Sequence, residues 1–395
     1  MFAESDVLID VPYGEDYPEI RESVRAICRD FPGEYWRKQE AEGKHASEFT
    51  QAMTDAGYLS ALIPEEYGGS GLPIRAGGAI FEEVSASGCS PSNIRAQSYM
   101  MKILVKHGTE EQKKRYLPDI ASGKLRFQSF GVTEPTTGSE TLKLKTFARK
   151  DGDHYVVNGQ KIWTSRALNS DLMVLLVRTT PVDKVEKRTD GLSVLLVDIR
   201  ESVGKGMTIR PIETMVNHQT NEVFYEDLRV PVENLIGVEN KGFRVILDGM
   251  NSERILLSHE SLGDCRYFLE KAVAYAKERV VFGRSIGQNQ GIQFPLARCY
   301  AQYKAADLMV RTACALFDAG QPCGEQANMG RLLSSEAAWN SGEECMQTHG
   351  GFAVAREYDI ERKWRAARLQ RIAPISTNLM LAFIAHNVLG LPKSY

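Results

Sequence analysis

From Tyr17 to about Ile120, apolar residues recur at three- and four-residue steps, with Ile20, Val24, Ile27 and Cys28 in one set and Phe49, Met53 and Tyr58 in another. That spacing places each set on one face of an amphipathic helix. The run Ile63-Pro-Glu-Glu-Tyr-Gly-Gly-Ser-Gly-Leu72 interrupts the pattern, and its clustered glycines and Pro64 predict an irregular segment, with a new helix starting near Arg75. Near Phe127 the period shortens. His154–Val157, Lys161–Thr164, Leu172–Arg178, Leu192–Asp198, Met207–Ile212 and Glu222–Val230 read as short strands. Asn158-Gly159, between the first two, predicts a type I′ hairpin turn, because both residues accept positive φ. From Gly242 the helical pattern returns: Leu262, Cys265, Leu269, Ala272, Ala276 and Val280 trace a near-heptad stripe, and Phe294–Leu316 and Met329–Met346 continue it. Gly390 followed by Pro392 ends the last helix. The expected class is α+β: an N-terminal helical domain over 1–125, a small antiparallel β-barrel or sandwich over 126–236, and a C-terminal helical domain over 237–395.

A chain of 395 residues, 43% hydrophobic and 25% charged, is an ordinary globular protein of two or three packed units with room to bury a cofactor. A formal charge of -3 supplies no basic field for a phosphate backbone, which argues against nucleic acid as a partner. The seven cysteines are odd in number, scattered, and never in a CxxC pair; they read as reduced thiols, neither a disulfide frame nor a zinc site, and no metal is expected. Met1 to Asp16 is acidic and lacks the basic and apolar regions of a secretory signal. Apolar runs such as Leu172–Val177 fall far short of the ~20 residues that span a bilayer as a helix. A soluble protein is expected, bacterial-cytoplasmic before mitochondrial. Asp183–Asp190 reads as a solvated loop.

Four segments carry candidate chemistry. Phe130-Gly-Val-Thr-Glu-Pro-Thr-Thr-Gly-Ser-Glu140 follows a strand and offers backbone N–H groups and hydroxyls at close approach, suited to a phosphate or ribose, though such a loop is also an ordinary turn. Asn158-Gly-Gln-Lys-Ile-Trp-Thr-Ser165 sets an indole beside two hydroxyls, where Trp163 either flanks a flat ring or fills a core. The others are Arg279-Val-Val-Phe-Gly-Arg-Ser-Ile-Gly-Gln-Asn-Gln290 and Gln347-Thr-His-Gly-Gly-Phe352. In order and spacing, the four resemble the TEPxAGSD, NGxKxWIT, RxxFGxxIxxxQ and QxxGG segments of the acyl-CoA dehydrogenase family, a resemblance running from about Tyr17 to Leu391.

The resemblance implies FAD as cofactor, a four-helix bundle as the C-terminal domain, a homo-oligomer, a homotetramer as in that family, and an electron-transfer flavoprotein as acceptor. It implies flavin contacts at Phe130, Val132, Thr133, Gly138, Ser139, Trp163, Thr164 and Ser165, and contacts to a neighbouring subunit's FAD at Arg279, Phe282, Gln290, Gln347, Gly350 and Gly351. Ser376 and Asn378 are implied to face the FAD phosphates. The implied reaction is α,β-dehydrogenation of an acyl-CoA thioester to the 2-enoyl-CoA: a carboxylate takes the α-proton while the β-hydrogen leaves as hydride to the flavin.

The base departs from the common pattern. Many members carry it in a C-terminal YEGTS segment, but here Arg371-Ile-Ala-Pro-Ile-Ser-Thr377 stands there, with Pro374 at the glutamate's position. Isovaleryl- and long-chain-like members place the base on another helix, in a motif that Asn251-Ser-Glu-Arg254 resembles, which makes Glu253 the expected base. Its reference pKa of ~4.3 must rise for that role, as burial would make it do. Read without the family, Glu253 is a glutamate opening a helix, where the macrodipole favours it. Asn251, Arg254 and Ser139 are implied to contact the acyl-CoA. Pro374 also lacks the N–H that the family turns toward the thioester carbonyl; it otherwise reads as leading into a helix capped by Ser376 or Thr377. Two alternatives stand beside dehydrogenation: an oxygen-using flavoenzyme of the same fold, such as an acyl-CoA oxidase or flavin monooxygenase, and a non-catalytic acyl-CoA-binding subunit.

Overall fold

The structure is a computed structural model that describes residues 14–393; the acidic opening segment through Tyr13 lies outside the described residues. Six helices open the described chain: α1 (Pro18–Arg29), α2 (Gly33–Ala41), α3 (Ser47–Asp55), α4 (Ile74–Ala86), α5 (Ser92–His107) and α6 (Glu110–Ala121). A β-region follows, with β1 (Phe127–Gly131), β2 (Phe147–Asp151), β3 (His154–Ser165), β4 (Leu172–Arg178), β5 (Leu192–Asp198), the single turn α7 (Ile199–Ser202), β6 (Met207–Pro211), β7 (Thr220–Pro231) and β8 (Leu235–Ile236). The C-terminal part holds α8 (Gly242–Glu278), a small hairpin of β9 (Val280–Val281) and β10 (Arg284–Ser285), α9 (Gln290–Asp318), α10 (Gly324–His349), α11 (Ile360–Leu369) and α12 (Thr377–Phe383). The chain forms two compact units. One holds Gln39–Leu72 and Ser92–Met250; the other runs through Lys38, takes up Pro73–Pro91 and resumes at Asn251.

In the first of these units the sheet runs β6-β7-β3-β2-β4-β5-β8, with β1 alongside β4. Strands β4 and β5 are buried on both faces. Leu172, Val174, Leu176, Leu192, Val194 and Leu196 pack with Met100, Ile103 and Leu104 of α5 and Leu117 and Ile120 of α6, whereas Met173, Leu175, Val177, Leu195 and Val197 pack with Tyr155, Val157, Val223 and Tyr225 of β3 and β7. Burial on both sides is why Leu172–Val177 of β4 and Val194–Val197 of β5 read as unbroken apolar runs. Helix α6 starts at a capping box: Thr109 accepts the Gln112 N–H while the Gln112 carboxamide accepts the Thr109 N–H. The same carboxamide donates to the carbonyls of Glu233 and Leu235, tying the helix to the segment that leads into and forms β8.

Two expectations for the sheet need correction. It is not wholly antiparallel, because β1 runs parallel to β4 and β2 meets β4 in parallel through Phe147 and Arg178; β1 arrives from α6, not from a hairpin, and a long connection allows a parallel partner. Nor is Asn158-Gly159 a hairpin turn: β3 passes straight through it, and the turn from β2 lies at Asp151–His154. At Asn158 the partner strand β7 bulges by one residue, with Asp227 at φ 50. The Asn158 side chain exchanges two hydrogen bonds with Asp227, and Gly159, at φ 147, is required because a Cβ there would come within 2.6 Å of Thr146.

In the other unit Tyr267, Phe268, Leu269 and Ala272 of α8 share a core with Leu296 and Cys299 of α9, Cys345 of α10, and Ile360 and Ala367 of α11, the expected four-helix arrangement. The heptad stripe holds through Ala276, but Val280 belongs to β9 and is exposed. Charge is also buried in this unit. His259, wholly buried, lies 3.2 Å from Glu82, 3.3 Å from Arg75 and 3.4 Å from the Cys314 thiol, and Arg21 and Arg266 pair with Glu82 and Glu83. All seven cysteines are buried and free. Among the described residues no helix is long and apolar enough to cross a membrane.

Candidate active site

In the sheet unit the segment leaving β1 is built by hydrogen bonds to β3. The Ile162 N–H donates to the Thr133 carbonyl at 2.9 Å, and Glu134 and Thr137 close a tight backbone bridge at 3.0 Å. Phe130 and Val132 are half-buried against the core, while Gly138 and Ser139 are exposed and a Cβ on Gly138 would meet nothing within 4 Å. Beneath the loop lies a residue pair to which sequence reasoning gave no role. The wholly buried Lys161 donates to the Val132 carbonyl at 3.0 Å and to Glu134 at 2.9 Å, and Glu134 in turn accepts the N–H groups of Lys145 (2.6 Å) and Thr146 (2.8 Å). Burial pulls the Lys161 amine down to about 8, with Glu134 opposing. For Glu134, burial disfavours the charge, but Lys161 and the N–H donors outweigh it and hold the carboxyl below its usual value. The visible signal was a carboxylate, Glu134, in one motif segment and a lysine, Lys161, in the other.

A bulge in β3, between the pairs Lys161–Val223 and Thr164–Asn221, turns the next residues out of the sheet's alternation. Trp163 has φ 60 and is 56% exposed, so it is no core tryptophan. Thr164 is buried, and its hydroxyl has no hydrogen-bond partner among the described residues. The Ser165 hydroxyl accepts from Asn217 at 2.8 Å. The structure thus brings the two motif segments of this unit together.

In the helical unit the remaining residues fall into four places, the last being inside α8. Arg279 follows α8, with its guanidinium 5.9 Å from the Phe352 ring, and Tyr275 stacks on His349 at 4.2 Å. These contacts bring the Arg279–Gln290 segment beside Gln347, Gly350 and Gly351, the last three exposed. Phe282 forms the β9–β10 turn with Gly283, at φ 53 and 78, and is wholly exposed; a fully solvated phenylalanine with positive φ is poor turn chemistry. Gln290 opens α9, also exposed. The third place is the loop after α11: Ser376 caps α12 by accepting the Leu379 N–H, and the Thr377 N–H closes the loop on the Arg371 carbonyl at 3.2 Å. Gln370, at the start of that loop, donates to Glu260 and Asp264 of α8 while Arg331 donates to its carbonyl oxygens.

Glu253 does not open a helix. It lies about three turns inside α8 and is 4% exposed, so the macrodipole gives no reason for it. Arg254 beside it donates to Asn251 at 3.3 Å; burial lowers the guanidinium's pKa, and the Glu253 charge works against that fall.

The acyl-CoA dehydrogenase C-terminal domain matches residues 240–389, the N-terminal domain 14–124 and the middle domain 129–228. The chain belongs to the acyl-CoA dehydrogenase family. The acyl-CoA dehydrogenase FadE12 of Mycobacterium tuberculosis is 34% identical over 96% of this chain and 98% of that protein. A solved glutaryl-coenzyme A dehydrogenase in complex with glutaryl-CoA superposes with TM-score 0.90 at 26% identity, covering 98% of each chain. A prolyl acyl carrier protein oxidase, AnaB, superposes with TM-score 0.88 at 25% identity over 94% of this chain and 98% of its own. This acyl-CoA dehydrogenase is therefore an oxidoreductase, and its family is FAD-dependent. The residues here fit a flavin: a buried hydroxyl at Thr164 without a protein partner, a solvent-facing indole at Trp163, and open space above Gly138.

Proposed function

We propose that this enzyme removes the α-proton and β-hydride of an acyl-CoA thioester to give the 2-enoyl-CoA, with Glu253 as the base. The observation that supports it most directly is the burial of Glu253 three turns inside α8, where neither solvation nor helix-end charge accounts for a carboxylate, while Pro374 stands at the other family position and carries no proton. FAD, when bound, supplies the hydride acceptor. Phe130, Val132, Thr133, Gly138, Ser139, Trp163, Thr164 and Ser165 hold it from the sheet unit, and Ser376 and Asn378 face its phosphates. Arg279, Phe282, Gln290, Gln347, Gly350 and Gly351 serve the FAD of a neighbouring copy, so the working form is a homo-oligomer, a tetramer as in the family. Asn251 fixes the Arg254 guanidinium, and Arg254 and Ser139 orient the acyl-CoA. Electrons pass on to an electron-transfer flavoprotein in a cytoplasmic setting.

Anaerobic titration of the flavin-loaded protein with straight and branched acyl-CoAs tests this, followed at the flavin band. Bleaching by one class, lost in Glu253→Gln while FAD stays bound, is the expected result; tight binding with no bleaching by any acyl-CoA refutes it. The likeness to an acyl carrier protein oxidase favours a second reading, in which oxygen takes the electrons. Rapid reoxidation of the bleached protein by air, outpacing a supplied electron-transfer flavoprotein, would decide for it.

A further inference from the structure

Loops that bind phosphates and rings must be held in place before the ligand arrives, or the ordering cost weakens binding. The segment Val132–Ser139 has little apolar anchorage beyond Val132: Thr133 is half-buried, and Pro135, Thr136, Gly138 and Ser139 are exposed. Its fixed points are polar. Lys161 is 0% exposed and Glu134 5%, and each is held by polar partners: the ammonium by the Val132 carbonyl and Glu134, the carboxylate by Lys161 and by two backbone N–H groups of the chain leading into β2. Lys161 is also adjacent in β3 to Ile162, whose N–H holds the Thr133 carbonyl. One buried ion pair therefore joins the start of the loop, at Val132 and Glu134, and the chain beyond it, at Lys145 and Thr146, to the strand that presents Trp163 and Thr164. Such a pair adds little net stability over an apolar replacement, but it fixes geometry strongly because removing one partner leaves the other's charge buried.

We propose that Lys161 and Glu134 are positioning residues that preset the Val132–Ser139 loop, and the register of Trp163 and Thr164 against it, for flavin binding. This rests on the reading of those segments as the flavin contacts. Neither residue touches the cofactor in this scheme; both act through the backbone they hold.

The test titrates the full-length chain, stripped of its flavin, with FAD, comparing wild type, Lys161→Met, Glu134→Gln and the charge-free double variant. Glu134→Gln keeps the shape but turns an amide donor toward the Lys145 or Thr146 N–H. Both single variants are expected to lose at least tenfold in FAD affinity while circular dichroism shows them folded, and the double variant to lose no more than either alone. Trypsin is expected to cut the flavin-free variants after Lys143 or Lys145 faster than wild type, with saturating FAD restoring protection. A purely structural pair would shift the melting temperature and leave the affinity of the folded protein unchanged, which overturns the proposal; so would failure of all three variants to fold. Wild type that never binds FAD would instead overturn the flavin reading itself.

Discussion

His259 offers a test whose size follows from its surroundings. The imidazole is wholly buried between α4 and α9, with Glu82, Arg75 and the Cys314 thiol at its nitrogens and Arg21 acting through Glu82. Burial is the main cause that lowers its pKa from 6.5 to about 4; Glu82 opposes and Arg75 assists. Glu82 lies well below the carboxylate range, so it stays charged as His259 titrates. Between pH 6.5 and about 4 the unfolded chain carries a proton on this histidine and the folded chain does not. The unfolded state binds more protons there, so stability falls as the pH drops through that window. At about 1.4 kcal/mol per pH unit, the gap amounts to about 3 kcal/mol. Denaturant unfolding of wild type and His259→Gln, at pH 7 and at pH 4.5 and equal protein concentration, isolates this contribution. The variant is less stable at pH 7 for lost packing, but its loss between the two pH values should be smaller than that of wild type by about 2–3 kcal/mol. Equal losses in the two proteins would refute the argument.

Other perturbations follow from particular contacts. Glu253→Gln should slow substrate bleaching of the flavin by about 10²–10⁴-fold, the usual worth of a positioned base, with FAD content unchanged by absorbance. Thr164→Val removes a buried hydroxyl that has no protein partner, so the flavin-free protein should melt no lower than wild type while FAD affinity falls several-fold in a fluorescence titration. Gly78→Ala would set a Cβ 2.1 Å from the His259 ring and should cost about 1–3 kcal/mol or more in denaturant unfolding, the scale of overpacking a filled core. Phe282→Ser, at a wholly exposed turn residue, should leave the melting of the flavin-free chain unchanged but weaken FAD retention in gel filtration.

Where local chemistry and tertiary packing agree, the sequence read correctly: the α8 stripe from Leu262 to Ala276 is buried as its period requires, and Leu172–Val177 of β4 and Val194–Val197 of β5 are unbroken apolar runs because both faces are covered. Asn158-Gly159 shows the opposite case. Its local preference for a hairpin turn is real, yet β7 pairs along the whole of β3, and the close approach of Thr146, not a turn, demands the glycine. A dipeptide window contains none of those partners, so strand pairing at long range overrode turn propensity. Val280 failed for a related reason, because periodicity does not reveal where a helix gives way to a hairpin.

The site was legible as segments and not as a mechanism of support. Motif order pointed to the residues proposed to face ligands, but 27 positions separate Lys161 from Glu134, and each alone reads as a solvated charge. The same limit applied to Glu253, since its burial, which separates a base from a helix-end ornament, depends on how far α8 extends upstream to Gly242. A helix beginning at Asn251 would make Glu253 a favourable N-terminal charge needing no function; a helix beginning three turns earlier leaves a carboxylate inside the protein with its cost uncompensated by the dipole. The boundary of one helix therefore changes the argument for the proposed base, and Pro374, which offers neither a carboxylate nor an N–H, leaves Glu253 as the residue we propose for proton removal.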